Sequence, residues 1–472
     1  MENDTYSDDF QLEMETTETM ARQEGRKRTE PAPEAEAAGP RGAVRLREPE
    51  RRQMAWVAQC ADDLVPPEHA VRRIAAVVEH LDVSGFCAPI KARQGVAGRD
   101  ATAPKLLVAL WLYACVRGIG SAHELARLCQ EHAAFRWLCG GVTVNHRLLS
   151  DFRTDHGEAL DQLFTQVIAS LVDKGVVRVS RISQDGTRVR VGAGASSFRR
   201  EERLHTLLAE AQRHVEELHQ GLHDPAGAAL TARQRAVRQR VAQEREERLR
   251  QALAQLPEVK KRHEATARRA GRGRQGEKIR TRAPRVSTTD PQARVMKMSK
   301  GGFNPAVNVQ LAADTASRAL LGVEVSNEGS DTAGLSAPLR AQVEKRTGGK
   351  VQEHLLDGGY VRYDDIEEAE EQGVALFMTP KGARNPARRG QELHPKPGDS
   401  EAVKAWKQRM QSEEGQRIYK QRGATSETLN ADLRTYRGLG RLTVRGLAKI
   451  RCVVLWCALA YNLMHFASAW LG

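Results

Sequence analysis

Aromatic side chains are scarce in this sequence of 472 residues, where Phe, Trp and Tyr together make up only 5%. Proteins that bind single-stranded nucleic acid mainly by stacking its bases depend on such rings, so the composition argues against that class. Paired cysteines are lacking as well. The seven cysteines are an odd number and none forms a CxxC pair, which is typical of reduced thiols in a cytosolic protein.

A zinc centre is the first alternative use of these cysteines. Cys129 and Cys139 lie near His123 and His132 in the sequence. Their spacing matches no known zinc module. We therefore interpret them as core residues.

A membrane anchor is a second class to be weighed. The first twenty residues are acidic and polar, so we predict no signal peptide. The apolar run Cys452–Leu471 has the length of a membrane span. Asn462 and His465 would then lie in lipid, where polar groups are costly. The run is better interpreted as a buried helix packed on a sheet.

Charge of one sign is in excess. The chain has 73 Lys and Arg and a formal net charge of +13. This balance favours a polyanionic partner, most simply nucleic acid.

The order of sequence patterns predicts an all-helical region after a disordered tail. Residues 1–52 have few large apolar groups and contain "PAPEAEAAGPRG", which is typical of disorder. Residues 53–175 have helical periodicity, with Pro104, Ser121 and Asn145 placed to begin helices. Short helices with tight turns fit a DNA-binding domain, although a generic helical domain has the same pattern.

Strand patterns follow, and they predict an α/β domain made of residues 176–195 and 286–472. Val307, Val309, Leu311 and Ala313 alternate along one strand and share one face. The short apolar runs "HLLD" and "VALFMTP" are typical of buried central strands.

A long insertion, residues 196–285, separates the first strands from the rest. From Leu204 to Leu222, apolar residues recur at intervals of four and three, as along the seam of a helix pair. The segment "DPAG" (224–227) interrupts the pattern, and Val237, Val241, Leu249, Leu253 and Leu256 follow it. We predict an antiparallel helical hairpin with a basic outer face and loop. A solvated helical face with a flexible loop would also explain the hairpin, but it explains the basic loop less well.

Three carboxylates have the chemistry of a metal site. The sequence predicts Asp185 at the end of the first core strand, Asp357 at the end of a second, and Glu427 near the start of a helix. Residues at the carboxyl ends of strands converge in an open sheet. Carboxylates suit Mg²⁺, and two such ions support in-line phosphoryl transfer. Considered singly, each residue is more often a cap or turn acid, and Asp-Gly is a common turn pair.

Several segments, taken in order, carry a family resemblance. They include "LLSDFRTDH", "ISQDGTRV", "MKMSKGGFNPAVNVQLAAD", "LLDGGY" and "GQRIYKQRGATSETLNADLRTYRGLG". The chain resembles the DDE transposases of bacterial insertion sequences, specifically family eleven-eighty-two in the group with a tyrosine–arginine–glutamate–lysine signature. The resemblance implies a ribonuclease H-like core in which Asp185, Asp357 and Glu427 are catalytic and bind two Mg²⁺ ions, with Mn²⁺ as a substitute.

The signature itself is present with one substitution. Tyr419 and Arg422 precede Glu427, and Arg434 stands where the family has lysine. The gap from Arg422 to Glu427 is one residue longer than in the commonest form of the motif. Glu427 and Arg434 are seven residues apart and share a helix face. The resemblance implies that Tyr419, Arg422 and Arg434 bind DNA.

The function implied is that of a transposase in the bacterial cytoplasm, associated with the nucleoid. Its partners would be double-stranded DNA, namely the terminal inverted repeats and the target, and a second copy of the chain on paired ends. No membrane partner is expected. Two alternatives stay open: an inactive DNA-binding protein that occupies the ends, and a metal-dependent nuclease without strand transfer.

Overall fold

The computed structural model describes residues 59–95, 97–221, 231–299, 301–329, 334–380 and 393–471. The predicted tail (1–52) and the "DPAG" break (224–227) lie outside the described residues.

The first part of the described chain is helical. A 3₁₀ turn (Ala61–Leu64) precedes α1 (Ala70–Glu79), α2 (Ser84–Cys87), α3 (Pro104–Val116), α4 (Ala122–Glu131), α5 (Ala133–Cys139), α6 (His146–Thr154) and α7 (Gly157–Asp173). The predicted start signals are confirmed. Pro104 is the first residue of α3, the Ser121 hydroxyl accepts a hydrogen bond from Glu124 N, and Asn145 Oδ1 accepts one from Leu148 N.

A mixed sheet follows the helices. Its strands are β1 (Arg181–Arg190), β4 (Arg294–Lys297), β5 (Phe303–Asp314), β6 (Leu320–Ser326), β7 (Glu353–Leu355) and β8 (Ala375–Phe377), while β2 (Phe198–Arg199) and β3 (Val286–Ser287) form a separate pair. The strand order is β4–β5–β1–β7–β8, and β6 also pairs with β5. β5 runs antiparallel to β1 and β6, whereas β7 and β8 run parallel to β1.

Strand β5 is buried on both faces. Val309 and Leu311 form the predicted apolar face, but Asn308 and Gln310 on the opposite face are fully buried as well. Gln310 accepts hydrogen bonds from Gln184 and from the hydroxyl of Tyr360, and these bonds satisfy a polar group that burial would otherwise destabilise.

The insertion contains the predicted antiparallel hairpin. Its helices are α8 (Glu201–Gly221), α9 (Ala232–Arg269) and the short α10 (Arg274–Arg280). Lys260 of α9 pairs with Glu201 at the start of α8, and Gln239 bonds His219 near its end. The seam prediction was wrong for Val237 and Val241, which are exposed. The helices instead pack through the cluster of Leu204, Ala211, Leu249, Ala252, Leu256 and Val286.

The remaining helices cover the sheet. They are α11 (Ser336–Thr347), α12 (Tyr363–Glu371), α13 (Glu401–Gln411), α14 (Glu413–Thr435), α15 (Leu447–His465) and α16 (Ala467–Leu471). Helix α15 contains most of the apolar run, and α16 contains its end. Helix α15 is long and apolar enough to cross a membrane, but 72% of its most apolar window is buried inside the protein. Asn462 bonds both backbone groups of Leu320 in β6, so this helix packs on the sheet as predicted.

The cysteines are free thiols. Cys60 is exposed, Cys87 is half-buried, and Cys115, Cys129, Cys139, Cys452 and Cys457 are buried. The two histidines of the zinc alternative have other contacts: His132 Nδ1 caps α5, and His123 stacks on His146 at 3.9 Å between ring centroids.

Candidate active site

Asp185 lies in the middle of β1, not at its end. Sequence reasoning took "DG" as the end of the strand, but Gly186 continues the ladder opposite Gln310 of β5, and β1 runs on to Arg190. Pairing with the parallel neighbour β7 does stop earlier, at Ser183 opposite Leu355. Asp185 is therefore internal to the β1–β5 ladder but lies beyond the β1–β7 ladder.

Asp357 follows the end of β7, as predicted. The last pair of the β1–β7 ladder is Ser183 with Leu355, so Asp185 and Asp357 each lie two residues beyond it. The Asp357 side chain is exposed and caps a 3₁₀ turn by accepting a hydrogen bond from Gly358 N at 2.6 Å. A Cβ atom at Gly358 would approach the Thr379 carbonyl oxygen to 2.8 Å, so this glycine allows two backbone segments to touch.

Glu427 lies inside α14 rather than near its start. The helix begins at Glu413, where the Ser412 hydroxyl accepts a hydrogen bond from Gly415 N and caps it. Sequence reasoning missed this cap. The Glu427 side chain is exposed, and its Oε1 lies 3.7 Å from the position that a Cβ atom of Gly423 would take.

The face of α14 next to Glu427 packs on β1. Ser426 Oγ lies 2.6 Å from Ser183 Oγ, and Arg434 Nη1 lies 3.5 Å from Thr187 Oγ1. Helix α14 thus runs along the side of β1 that carries Asp185.

Arg422 is a cation held between the predicted acids. Its Nη1 lies 3.9 Å from Asp185 Oδ1, and its guanidinium lies over the Tyr419 ring at 5.9 Å from the centroid. Burial favours the neutral form of Arg422, but the charges of Tyr419 when ionised, of Asp185 and of Asp357 outweigh it and raise the pKa of Arg422. Both aspartates therefore act on the same positive charge.

Asn430 was missed by sequence reasoning, although it contacts Asp185 directly. Its Nδ2 donates to Asp185 Oδ2 at 2.9 Å. Its Oδ1 is buried and has no hydrogen-bond partner among the described residues. The spacing from Glu427 was the available signal, since residues three apart are neighbours on a helix surface.

The donor chemistry of these residues fits a divalent cation, because such ions prefer carboxylate oxygens. Asp185 already faces one positive charge, the guanidinium of Arg422. Across the described ranges, however, no three Asp, Glu, His or Cys side chains are grouped closely enough to hold a metal ion. Of the three predicted ligands, Asp185 and Asp357 both act on Arg422, whereas the Glu427 side chain is exposed on the same helix.

Comparison with known families agrees with this chemistry. Residues 260–463 match the model described as Transposase DDE domain, and residues 59–155 match the model described as Transposase domain (DUF772). No curated protein and no solved structure matches the chain.

The α/β fold and the matched domain define an enzyme that transfers phosphoryl groups on DNA. The chain is a DDE transposase, and transposases of this class generally use divalent metal ions. Asp357 and Glu427 lie inside the matched DDE range, whereas Asp185 lies between the two matched ranges.

Proposed function

We propose that this transposase binds the terminal inverted repeats of its own insertion sequence, cleaves the DNA there and joins the 3′-hydroxyls to target DNA. We assign it to family eleven-eighty-two, with the tyrosine–arginine–glutamate–lysine signature. The main support is that Asp185 of β1 and Asp357, just after the neighbouring strand β7, both act on Arg422, which belongs to the same helix as Glu427.

The three carboxylates are the proposed metal ligands. Asp185, Asp357 and Glu427 would hold two Mg²⁺ ions, or Mn²⁺ as a substitute. Such ions activate a water or 3′-hydroxyl as the nucleophile and stabilise the leaving oxygen. Asn430 would orient the Asp185 carboxylate through its existing hydrogen bond.

The basic residues of α14 are the proposed DNA ligands. Arg422 now contacts Asp185, and its planar fork matches a phosphate equally well. We expect Arg422 to exchange the carboxylate for a DNA phosphate when substrate binds. Arg434 lies beside β1 at Thr187 and would contact a neighbouring phosphate, while Tyr419 supports Arg422 through its ring.

We propose that the sheet is a ribonuclease H-like core formed by 176–195 and 286–472. It is supported by a mixed sheet in which β5 runs against its neighbours β1 and β6, with helix α14 packed on β1. The helices of 53–175 would recognise the element ends, and the 196–285 hairpin would contact DNA or a second copy on paired ends. Action would take place in the cytoplasm, at the nucleoid.

Replacing Glu427 tests the assignment. Glu427→Gln keeps the size of the side chain but removes the charge that a metal ligand needs. DNA binding in chelator should stay near wild type, while nicking and joining of a labelled end duplex in Mg²⁺ should fall by orders of magnitude. Asp185→Asn and Asp357→Asn should behave alike, and combining them should add little.

Glu414→Gln is the matched control, because Glu414 is exposed in the first turn of the same helix. It should nick like wild type. Normal nicking by Glu427→Gln would contradict the assignment, and lost nicking in the control would point to Glu414 instead. Nicked but never joined products from wild type would favour the nuclease, and binding without nicking would favour the inactive protein.

A further inference from the structure

A second cationic site lies outside the catalytic residues, at the base of the hairpin. It is a cavity of about 450 Å³ lined by Arg199, Arg203, Leu207, Arg245, Arg248, Leu249, Thr288, Thr289 and Arg445. Five of these nine described residues are arginines, and none is acidic. We call this site the arginine pocket.

The scaffold of the pocket is fixed by packing and strand pairing. The hairpin cluster seals its floor, where Leu249 is buried. β2 and β3 form one wall, with Arg199 paired opposite Val286. The Thr288 hydroxyl donates to the Ser197 carbonyl, which ties the wall to the start of the insertion. The backbone that carries these arginines is therefore held in place by packing and hydrogen bonds.

Positive charge in the pocket exceeds the nearby negative charge. Arg203 pairs with Glu210 at 3.2 Å, and Arg248 lies 3.9 Å from Glu244. In the described part of the chain, Arg199, Arg245 and Arg445 have no ion pair. Burial first, and then the charge of Arg445, lower the pKa of Arg248, so the guanidinium groups repel one another. A bound anion would relieve this repulsion.

The pocket is physically joined to the strand that carries Asp185. Leu442 N donates to the Arg190 carbonyl at the end of β1, and Arg445 follows three residues later. A Cβ atom at Gly192 would approach the Thr443 carbonyl oxygen to 2.9 Å, so the two segments lie in direct contact. Arg190 is about 17 Å from Asp185 along an extended strand.

Duplex DNA offers phosphates in continuous rows along its two strands, with a rise of about 3.4 Å per base pair. The planar forks of arginine suit phosphate oxygens, and five of them exceed what a single phosphate group engages. The ligand chemistry is therefore a row of phosphates.

We propose that the arginine pocket binds the backbone of the same duplex DNA that reaches Asp185, without reading its sequence. The inference rests on the proposed function, since it takes the DNA substrate as the occupant. A second cavity adjoins the same segment at Thr443, but it is less basic, because Asp151 and Glu244 line it together with Arg147 and Arg240.

The test removes two charges that are exposed and unpaired within the described residues. Arg245→Gln with Arg445→Gln removes both charges but keeps a side chain that can form hydrogen bonds. The control, Arg178→Gln with Lys350→Gln, loses the same charge at exposed sites that do not line the pocket. Affinity for a labelled random-sequence duplex is measured in chelator over a series of salt concentrations, with inorganic pyrophosphate as competitor. Circular dichroism checks the fold of both variants.

We expect the pocket variant to bind every duplex roughly tenfold more weakly. Its log–log salt slope should be shallower by about 1.8, for two lost phosphate contacts, while the control keeps the wild-type slope. A pocket variant with wild-type affinity and slope would overturn the proposal. So would pyrophosphate binding that depends on the pocket while DNA binding does not, since the site would then hold a small anion.

Failure of the proposed function would be distinct from failure of this inference. Wild type that binds DNA through the pocket but does not nick it in Mg²⁺ would contradict the proposed catalysis. The assignment of the pocket as a DNA site would then stand.

Discussion

Among the described residues, the side-chain amide of Asn430 forms a hydrogen bond through its nitrogen but not through its oxygen. Nδ2 is bonded to Asp185, and Oδ1 is buried with no partner among the described residues. A buried polar atom left unpaired costs stability, and such atoms occur where a ligand or ion later binds. We therefore treat Asn430 as a positioning residue for Asp185.

Asn430→Ala should weaken the apparent affinity for Mg²⁺ by about 10–100-fold, as loss of an outer-shell partner does. Nicking should recover as Mg²⁺ is raised, and DNA binding in chelator should not change. Thr428→Ala, at an exposed position on the same helix, serves as control. A lower thermal midpoint with an unchanged Mg²⁺ titration would show that Asn430 is only structural.

His354 of β7 makes the stability of the protein depend on pH. It is fully buried in β7, three residues before Asp357, and neither ring nitrogen has a hydrogen-bond partner in the described ranges. Burial, and then the charge of Arg340, lower the pKa of His354 to about 3. An unfolded histidine has a pKa of about 6.5. Its contribution to stability is thus complete above about pH 6.5 and is lost as the pH falls toward 3.

The expected slope for one proton is about 1.4 kcal/mol per pH unit in this window. His354→Leu should remove it, so that stability between pH 6.5 and about 5 falls by roughly 2 kcal/mol less than in wild type. Urea unfolding at both pH values measures the difference. The exposed His214→Gln should leave the wild-type slope unchanged. Equal slopes in wild type and His354→Leu would mean that His354 is protonated in the folded protein.

At the scale of elements, the hairpin has a core of its own. Its cluster, from Leu204 to Val286, is separate from the main core. Because β2 pairs Arg199 with Val286, an Asn-Gly turn between these two residues could replace 200–285. Val286 packs in the hairpin cluster and would be exposed without it. Val286→Thr therefore replaces this apolar side chain with a polar one in the shortened protein.

The shortened protein should keep the circular dichroism expected for the remaining elements and should unfold cooperatively. Duplex binding should be weaker than in the Arg245→Gln, Arg445→Gln variant, because the whole basic surface is lost. Global unfolding would show instead that the hairpin completes the catalytic core.

Local signals predicted elements well where their cause is local. Pro104, Ser121 and Asn145 begin or cap helices because these residues satisfy the first backbone groups of a helix. The predicted seam of α9 was wrong at Val237 and Val241. Ala242 and Ala252 form much of the buried face of this helix, and small residues contribute little to a hydrophobic pattern. Asp185 was misplaced because strand length depends on β5, which lies more than a hundred residues away. The only local signal for the contact of Asn430 with Asp185 was the three-residue spacing from Glu427.

At the scale of the whole molecule, α15 contacts both the N-terminal helices and the sheet. Trp456 donates to the Arg153 carbonyl of α6, and Asn462 bonds Leu320 at the start of β6. We therefore expect the described helices and the sheet to unfold in one transition.

Asn462→Leu would leave Leu320 N–H and C=O unpaired, at about 1–3 kcal/mol for each buried group. Calorimetry should show a single transition at lower temperature, with the control Ser468→Ala, at an exposed position, close to wild type. Two separate transitions would indicate that the halves fold independently.

The position of α15 in the chain also sets an order of events during synthesis. Every strand it touches, and every earlier helix, is made before Asn462 leaves the ribosome. Until then β6 keeps an open edge and the apolar surfaces of α3 and α7 stay uncovered. A nascent chain interrupted before Leu447 would thus be prone to aggregate, so the enzyme acquires its folded form only after translation has passed α15.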